Sequence, residues 1–178
     1  MEAFFIFMSI STIIGHTPIW VWVLFVFLLN RGITALQPRK MTWQRMLALP
    51  LIFFIWALYG MGTELNYFAI AFVSFAGAIV GGAIVGWLLA MRRPPAHRDP
   101  VSGLIHRPGT SATLILVLVG FLAKYALSVA LMHGPSLAAN MGYCTFYGGI
   151  SGAVDGVFWG VTLLQLFQTF SRAGSQVT

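Results

Sequence analysis

Lys124 and Asp155 each stand alone as a charge inside a long apolar run. A charged side chain at the centre of a bilayer costs about 2.5–3.5 kcal/mol on insertion scales. Two opposite charges on neighbouring segments relieve that cost by pairing, or the carboxylate relieves it by taking up a proton. A buried pair of this kind has two uses. It can fix two helices against each other, or it can handle a proton, an ion or the counter-charge of a substrate. If the runs are antiparallel helices joined by the short segment around Gly134 and Pro135, Lys124 lies ~13 Å and Asp155 ~18 Å from the same membrane surface, and a lysine side chain spans the difference.

Glycine spacing marks a second kind of contact. Gly77, Gly81, Gly82 and Gly86 form two overlapping Gly-x-x-x-Gly patterns, and Gly148, Gly152, Gly156 and Gly160 recur every four residues on one helical face. In lipid, small residues at this spacing let helix backbones approach closely. The contact is either internal to the chain or a seam with a second copy or another membrane-complex partner. A third group is His16, Glu64, His133 and Cys144, which the threading below brings to one membrane side. Two histidines from different helices can ligate haem or a transition metal. None of the four is spaced as a ligand motif, so ordinary interfacial placement is the simpler reading and no metal site is assigned. The Ser, Cys and His residues form no catalytic triad, and the extramembrane parts are too small to house an enzyme site. Both points weigh against an enzyme.

These residues need elements to hold them, and the composition says what kind. Of the 178 residues, 58% are hydrophobic and 8% are charged, against about 25% charged in a soluble domain. Water cannot be the solvent for most of this surface. The net charge of +6 would suit nucleic acid if it were spread over one face. Instead the cations cluster in short stretches between apolar runs, which is the pattern of cytoplasmic loops. The first cluster is Arg31, Arg39, Lys40 and Arg45. The second is Arg92, Arg93, Arg98 and Arg107, and Arg172 follows the last run. The segments on the other side carry no Lys or Arg. These basic loops can also hold anionic lipid head groups. The single cysteine excludes an internal disulfide. The only early charge is Glu2, so the amino terminus lacks the basic region of a cleavable signal.

The expected fold is all-α: an integral membrane protein of one domain with five transmembrane helices, amino terminus outside and carboxyl terminus cytoplasmic. Thr17 and Pro18 suit the N-cap and first residue of a helix, so the first span runs over 18–35. The others run over 46–63, 66–91, 111–133 and 143–170. Residues 1–15 are too short to span once the chain breaks at Gly15-His16-Thr17-Pro18. With Glu2, Ser9, Thr12 and His16 on one stripe they read as a short interfacial helix; the competing reading is a single long helix from residue 3 with a kink at Pro18. In the 92–110 loop, Pro94-Pro95 stops the helix and Asp99-Pro100-Val101-Ser102-Gly103 has turn chemistry, which fits a small β-hairpin.

His16-Thr17-Pro18-Ile19-Trp20-Val21-Trp22 resembles the opening of a family of uncharacterised bacterial inner-membrane proteins that reads H-T-P-x-W-V-W there. A later signature of that family is similar to Asp99, Gly103, His106, Pro108, Gly109 and Thr110 here, with Thr110 where the family usually has serine. Lys124-Tyr125 occupies the place of its basic residue before tyrosine. A fainter likeness is to the CcdC-like membrane proteins, associated by name with cytochrome c biogenesis. The resemblance implies a polytopic helical fold in a bacterial inner membrane and leaves function open. Two functional classes follow from the residues. One is a non-catalytic accessory or assembly protein that docks partners through its glycine faces. The other is a small transporter-like protein that moves a proton, ion or small solute at Lys124 and Asp155.

Overall fold

Lipid offers the backbone no water to bond, so apolar runs in it close their own hydrogen bonds as helices. The computed structural model describes residues 19–37, 39–92, 97–98, 105–107 and 111–174. Among these residues the α-helices are α1 (Ile19–Thr34), α2 (Trp43–Glu64), α3 (Phe68–Met91), α4 (Ser111–His133) and α5 (Met141–Gly174). Four of them, α2 to α5, are long and apolar enough to cross a membrane, and α1 is a shorter apolar helix. The interfacial helix expected over 1–15 lies outside the described residues, as do His16, Thr17 and Pro18.

Two boundaries differ from expectation in an informative way. Helix α2 begins at Trp43 rather than 46, which moves Pro50 from the first turn into the helix interior, where it is buried. Proline removes one hydrogen bond and crowds the preceding turn; in a membrane helix, neighbouring elements tolerate this. Helix α5 has 34 residues, or ~51 Å of rise, which exceeds a hydrocarbon core of about 30 Å. Its far end therefore stands clear of the span. Asn140 starts this helix: its Oδ1 accepts from the Tyr143 backbone N–H at 3.0 Å, the geometry of an N-cap.

The loops hold more order than a single hairpin. Strands β1 (Arg39–Met41), β2 (His97–Arg98) and β3 (Ile105–Arg107) form an antiparallel sheet in the order β1-β3-β2. The β2–β3 hairpin comes from the 92–110 loop, and β1 comes from the loop between α1 and α2. Arg39 is in register with Arg107 and Lys40 with His106. Backbone pairing thus places both basic loops at the same end of the bundle. At the other end, the Asn66 N–H donates to Ala138 O at 3.0 Å, which ties the α2–α3 turn to the 3-10 helix Pro135–Ala139.

Helix α3 packs chiefly along α5, α1 lies along α4, and α2 also lies on α5. Two apolar clusters fill the interior. One gathers Val21, Leu28, Leu49, Phe53, Trp56, Val117, Phe121 and Phe158. The second gathers residues nearer Glu64, including Met61, Phe75, Leu127, Cys144 and Tyr147.

Candidate functional site

Helices α4 and α5 are antiparallel neighbours joined through Gly134 and the 3-10 helix. Lys124 on α4 and Asp155 on α5 meet between them. Nζ lies 3.7 Å from Oδ2, with the lysine side chain 4% exposed and the aspartate fully buried. At that distance the contact is an ion pair and not a hydrogen bond. Neither Lys124 Nζ nor either Asp155 carboxylate oxygen has a hydrogen-bond partner among the described residues, and the same holds for Ser151 Oγ one turn away. Buried polar atoms in native proteins are almost always hydrogen-bonded. A group of four that are not, around one ion pair in an apolar bundle, stands out.

The pair belongs to a longer stripe. Ser151, Asp155, Thr162, Gln165 and Thr169 are all buried. Their spacing keeps them on one face of α5, and Phe158 fills the gap between Asp155 and Thr162. Gln165 Oε1 also lacks a hydrogen-bond partner among the described residues, whereas Thr169 Oγ1 donates to Gln165 O at 2.7 Å. One turn before Ser151 the stripe continues with Tyr147.

Tyr147 leads to a second polar group that sequence reasoning missed. Glu64, the last residue of α2, accepts from Ser128 Oγ at 3.0 Å to Oε2 and 3.2 Å to Oε1, and from Tyr147 OH at 3.2 Å to Oε2. A Cβ on Gly60 would collide with the Tyr147 hydroxyl, so glycine there makes room for this contact. Nearby, Tyr143 OH donates to Leu127 O at 2.6 Å. Ser128 is four residues from Lys124, and Tyr147 is eight from Asp155. Polar residues recurring at helical spacing on α4 and α5 were the available signal. It was hidden because serine and tyrosine pass for ordinary residues of an apolar span.

Of the outer-face group expected from sequence, the structure describes Glu64, His133 and Cys144. Among the described residues no three His, Cys, Asp or Glu side chains come together as a metal site. His133 is exposed, with Nδ1 3.0 Å from Val129 O in its own helix. Cys144 is buried, and its thiol donates to Ala138 O at 3.4 Å. Glu64 is engaged by hydroxyls, and His16 lies outside the described residues.

The glycines divide. Cβ atoms built on Gly148, Gly152, Gly156 and Gly160 would strike the carbonyl oxygens of Ala71, Phe75, Ile79 and Ala83 respectively, and those on Gly82 and Gly86 would strike the backbone of Ala153 and Val157. These six glycines make the α3–α5 contact. Gly77 and Gly81 do not: a Cβ built on either would meet open space. They point away from α5 because they lie about 100° or more around the helix from Gly82 and Gly86. Two surface grooves are apolar and lipid-like in lining. One is framed by Leu24, Ile52, Ile55, Trp56 and Tyr59, the other by residues of α3 and α5 including Ile84, Trp87 and Leu163. Neither is lined by Lys124, Asp155 or Glu64.

Comparison with known proteins yields no match to a curated protein or to a solved structure. It does yield a family, one of unknown function, and the match covers nearly the whole chain. With residues 6–176 matched, the chain belongs to the family of unknown function DUF6622.

Proposed function

We propose that this protein is a five-span bundle of a bacterial inner membrane, amino terminus outside, whose polar core around Lys124 and Asp155 moves a proton, an ion or a small solute. One observation carries the reading. The two charges and Ser151 are buried together, yet the ion pair stands at 3.7 Å and the polar atoms around it lack hydrogen-bond partners among the described residues. A buried ion pair kept only to fix two helices is stable when its geometry closes and every remaining lone pair and proton is satisfied. Here the two charges stand at ion-pair distance without a direct hydrogen bond, an arrangement that suits groups that exchange partners with water or a passing ion. Ionisable groups inside a membrane bundle mark such pathways.

The test is flux. Purified protein in sealed vesicles with an entrapped pH dye, or with potassium or sodium gradients, is compared with Asp155→Asn and Lys124→Met variants that elute as folded protein. The expected result is a flux that either substitution abolishes. Wild-type vesicles no leakier than empty ones to protons and to both ions would count against this reading.

A second reading, a non-catalytic accessory protein, keeps one surface. Six of the eight glycines are used inside the chain, but Gly77 and Gly81 face outward on α3. Docking there predicts a membrane partner that co-purifies with the wild type and is lost on Gly77→Leu, with no flux in vesicles.

A further inference from the structure

The polar residues of the core are arranged asymmetrically about Asp155. Toward the Glu64 end, each turn carries a polar group. Asp155 is followed by Ser151 and then Tyr147 on α5, and Lys124 is followed by Ser128 on α4. Four residues correspond to ~6 Å of rise, so these groups are stacked one turn apart. Tyr147 and Ser128 converge on the half-buried carboxylate of Glu64. Ser151, fully buried and without a hydrogen-bond partner among the described residues, stands between that cluster and the ion pair.

Toward the sheet end, the next position on the same face of α5 is Phe158. Its ring stacks on Phe53 with centroids 4.6 Å apart and planes 23° apart. Both rings close over Gly120, where a Cβ would lie 3.1 Å from Phe53 Cε1 and 3.3 Å from Phe158 Cε2. Phe121 and Trp56 complete the layer at a 5.4 Å ring separation. Beyond it the polar stripe resumes with Thr162, Gln165 and Thr169. A packed aromatic layer of this kind bars ions and water until it moves.

We infer that the Lys124–Asp155 centre is entered by a small cation from the Glu64 end only, with Glu64, Tyr147 and Ser128 as the entry site and the Phe53–Phe158 layer as the seal toward the sheet. The inference rests on the transport reading above and adds the ligand class and the side of access. The cation follows from formal charge: the path holds two carboxylates, Glu64 and Asp155, against one ammonium, Lys124. Net negative charge among low-dielectric surroundings favours a cation over an anion.

Silver ion is a suitable probe, being a small monovalent cation that bonds a thiol with release of its proton. The native thiol is removed by Cys144→Ser. Ser151→Cys and Ser128→Cys are then introduced separately, each nearly isosteric, and sealed membrane vesicles of both orientations are prepared. Gly62→Cys and Gln37→Cys, both at exposed positions on opposite ends, report which end faces the medium. After exposure to silver, remaining thiols are counted by maleimide labelling in denaturant and mass spectrometry.

The expected result is that Ser151→Cys and Ser128→Cys react from the Glu64 end about tenfold or more faster than from the sheet end. Glu64→Gln slows them, and Phe158→Ala makes Ser151→Cys reactive from both ends. Equal reaction from both ends in the intact protein, faster reaction from the sheet end, or no reaction at Ser151→Cys in monodisperse protein would each overturn the inference. Its failure is separable from failure of the transport reading. Flux without one-sided access removes this inference alone, and one-sided access without flux removes the transport reading alone.

Discussion

Helix α5 faces two very different neighbours. Against α3 it presents backbone: four glycines at successive turns oppose the carbonyl oxygens of Ala71, Phe75, Ile79 and Ala83. The contact is parallel and in step, and it is suited to Cα–H···O interactions. Against α2 and α4 it presents Phe158, in a layer with Phe53, Trp56, Phe121 and, from α1, Phe25. The first contact is held by the absence of side chains and the second by their bulk. Without a hydrophobic driving force between helices in lipid, close packing is what remains, and this bundle obtains it in both ways. The two faces should therefore fail under opposite substitutions: the glycine face when atoms are added, the aromatic face when atoms are removed.

The largest effect is expected from Gly156→Leu. The added side chain meets backbone atoms of Ile79, Gly82 and Ala83, which cannot swing aside. Overpacking costs about 1–3 kcal/mol even where neighbours can adjust; here α3 should separate from α5, and monodisperse protein should not be recovered on size exclusion. Phe158→Ala comes next, with a loss of about 3 kcal/mol, read by denaturant unfolding in mixed micelles. A Phe158→Ala variant as stable as wild type would show that the aromatic layer is not a packing element. The ion pair lies between the two faces and sharpens the comparison. Asp155→Asn and Lys124→Met should each cost about 2–3 kcal/mol by leaving one charge uncompensated. The double variant should lose less than the sum of the two, and strict additivity in that cycle would mean the charges do not interact. The smallest effect is expected at Gly81→Ala. It adds a methyl to open space, so stability should stay equal or rise by up to about 1 kcal/mol from helix propensity. A loss there would reveal a partner on that face.

The chain's apolar runs, their breaks at Glu64-Leu65-Asn66 and Gly134-Pro135, and the two basic loops were legible because each rests on local composition. So were Lys124 and Asp155, since a charge in an apolar run is conspicuous by itself. What could not be read was direction around the helix axis. Gly77 and Gly82 look equivalent in sequence, yet one meets open space and the other Ala153. Helices apolar all round carry no periodic signal for their inner face. The Glu64–Ser128–Tyr147 cluster was hidden as well, because serine and tyrosine are unremarkable in an apolar span and the cluster joins residues from three helices. The pairing of β1 with the hairpin was likewise hidden, since strands of two or three residues depend on partners distant in the chain.

The partnership of α3 with α5 also has a consequence in time. During synthesis α3 emerges well before its main partner, with α4 and the intervening loop made between them. Until α5 is made, the backbone groove of α3 that will receive Gly148, Gly152, Gly156 and Gly160 lacks its partner helix. A helix that must wait in this way has to be comfortable in lipid unaided. Helix α3 meets that demand: it carries no charge, and its one polar side chain, Ser74, later donates to Thr145 O of α5 at 2.8 Å. Helix α5 follows the helices that pack around it and brings the polar stripe and Asp155 to a scaffold already made, whereas Lys124 on α4 waits in the membrane for its partner.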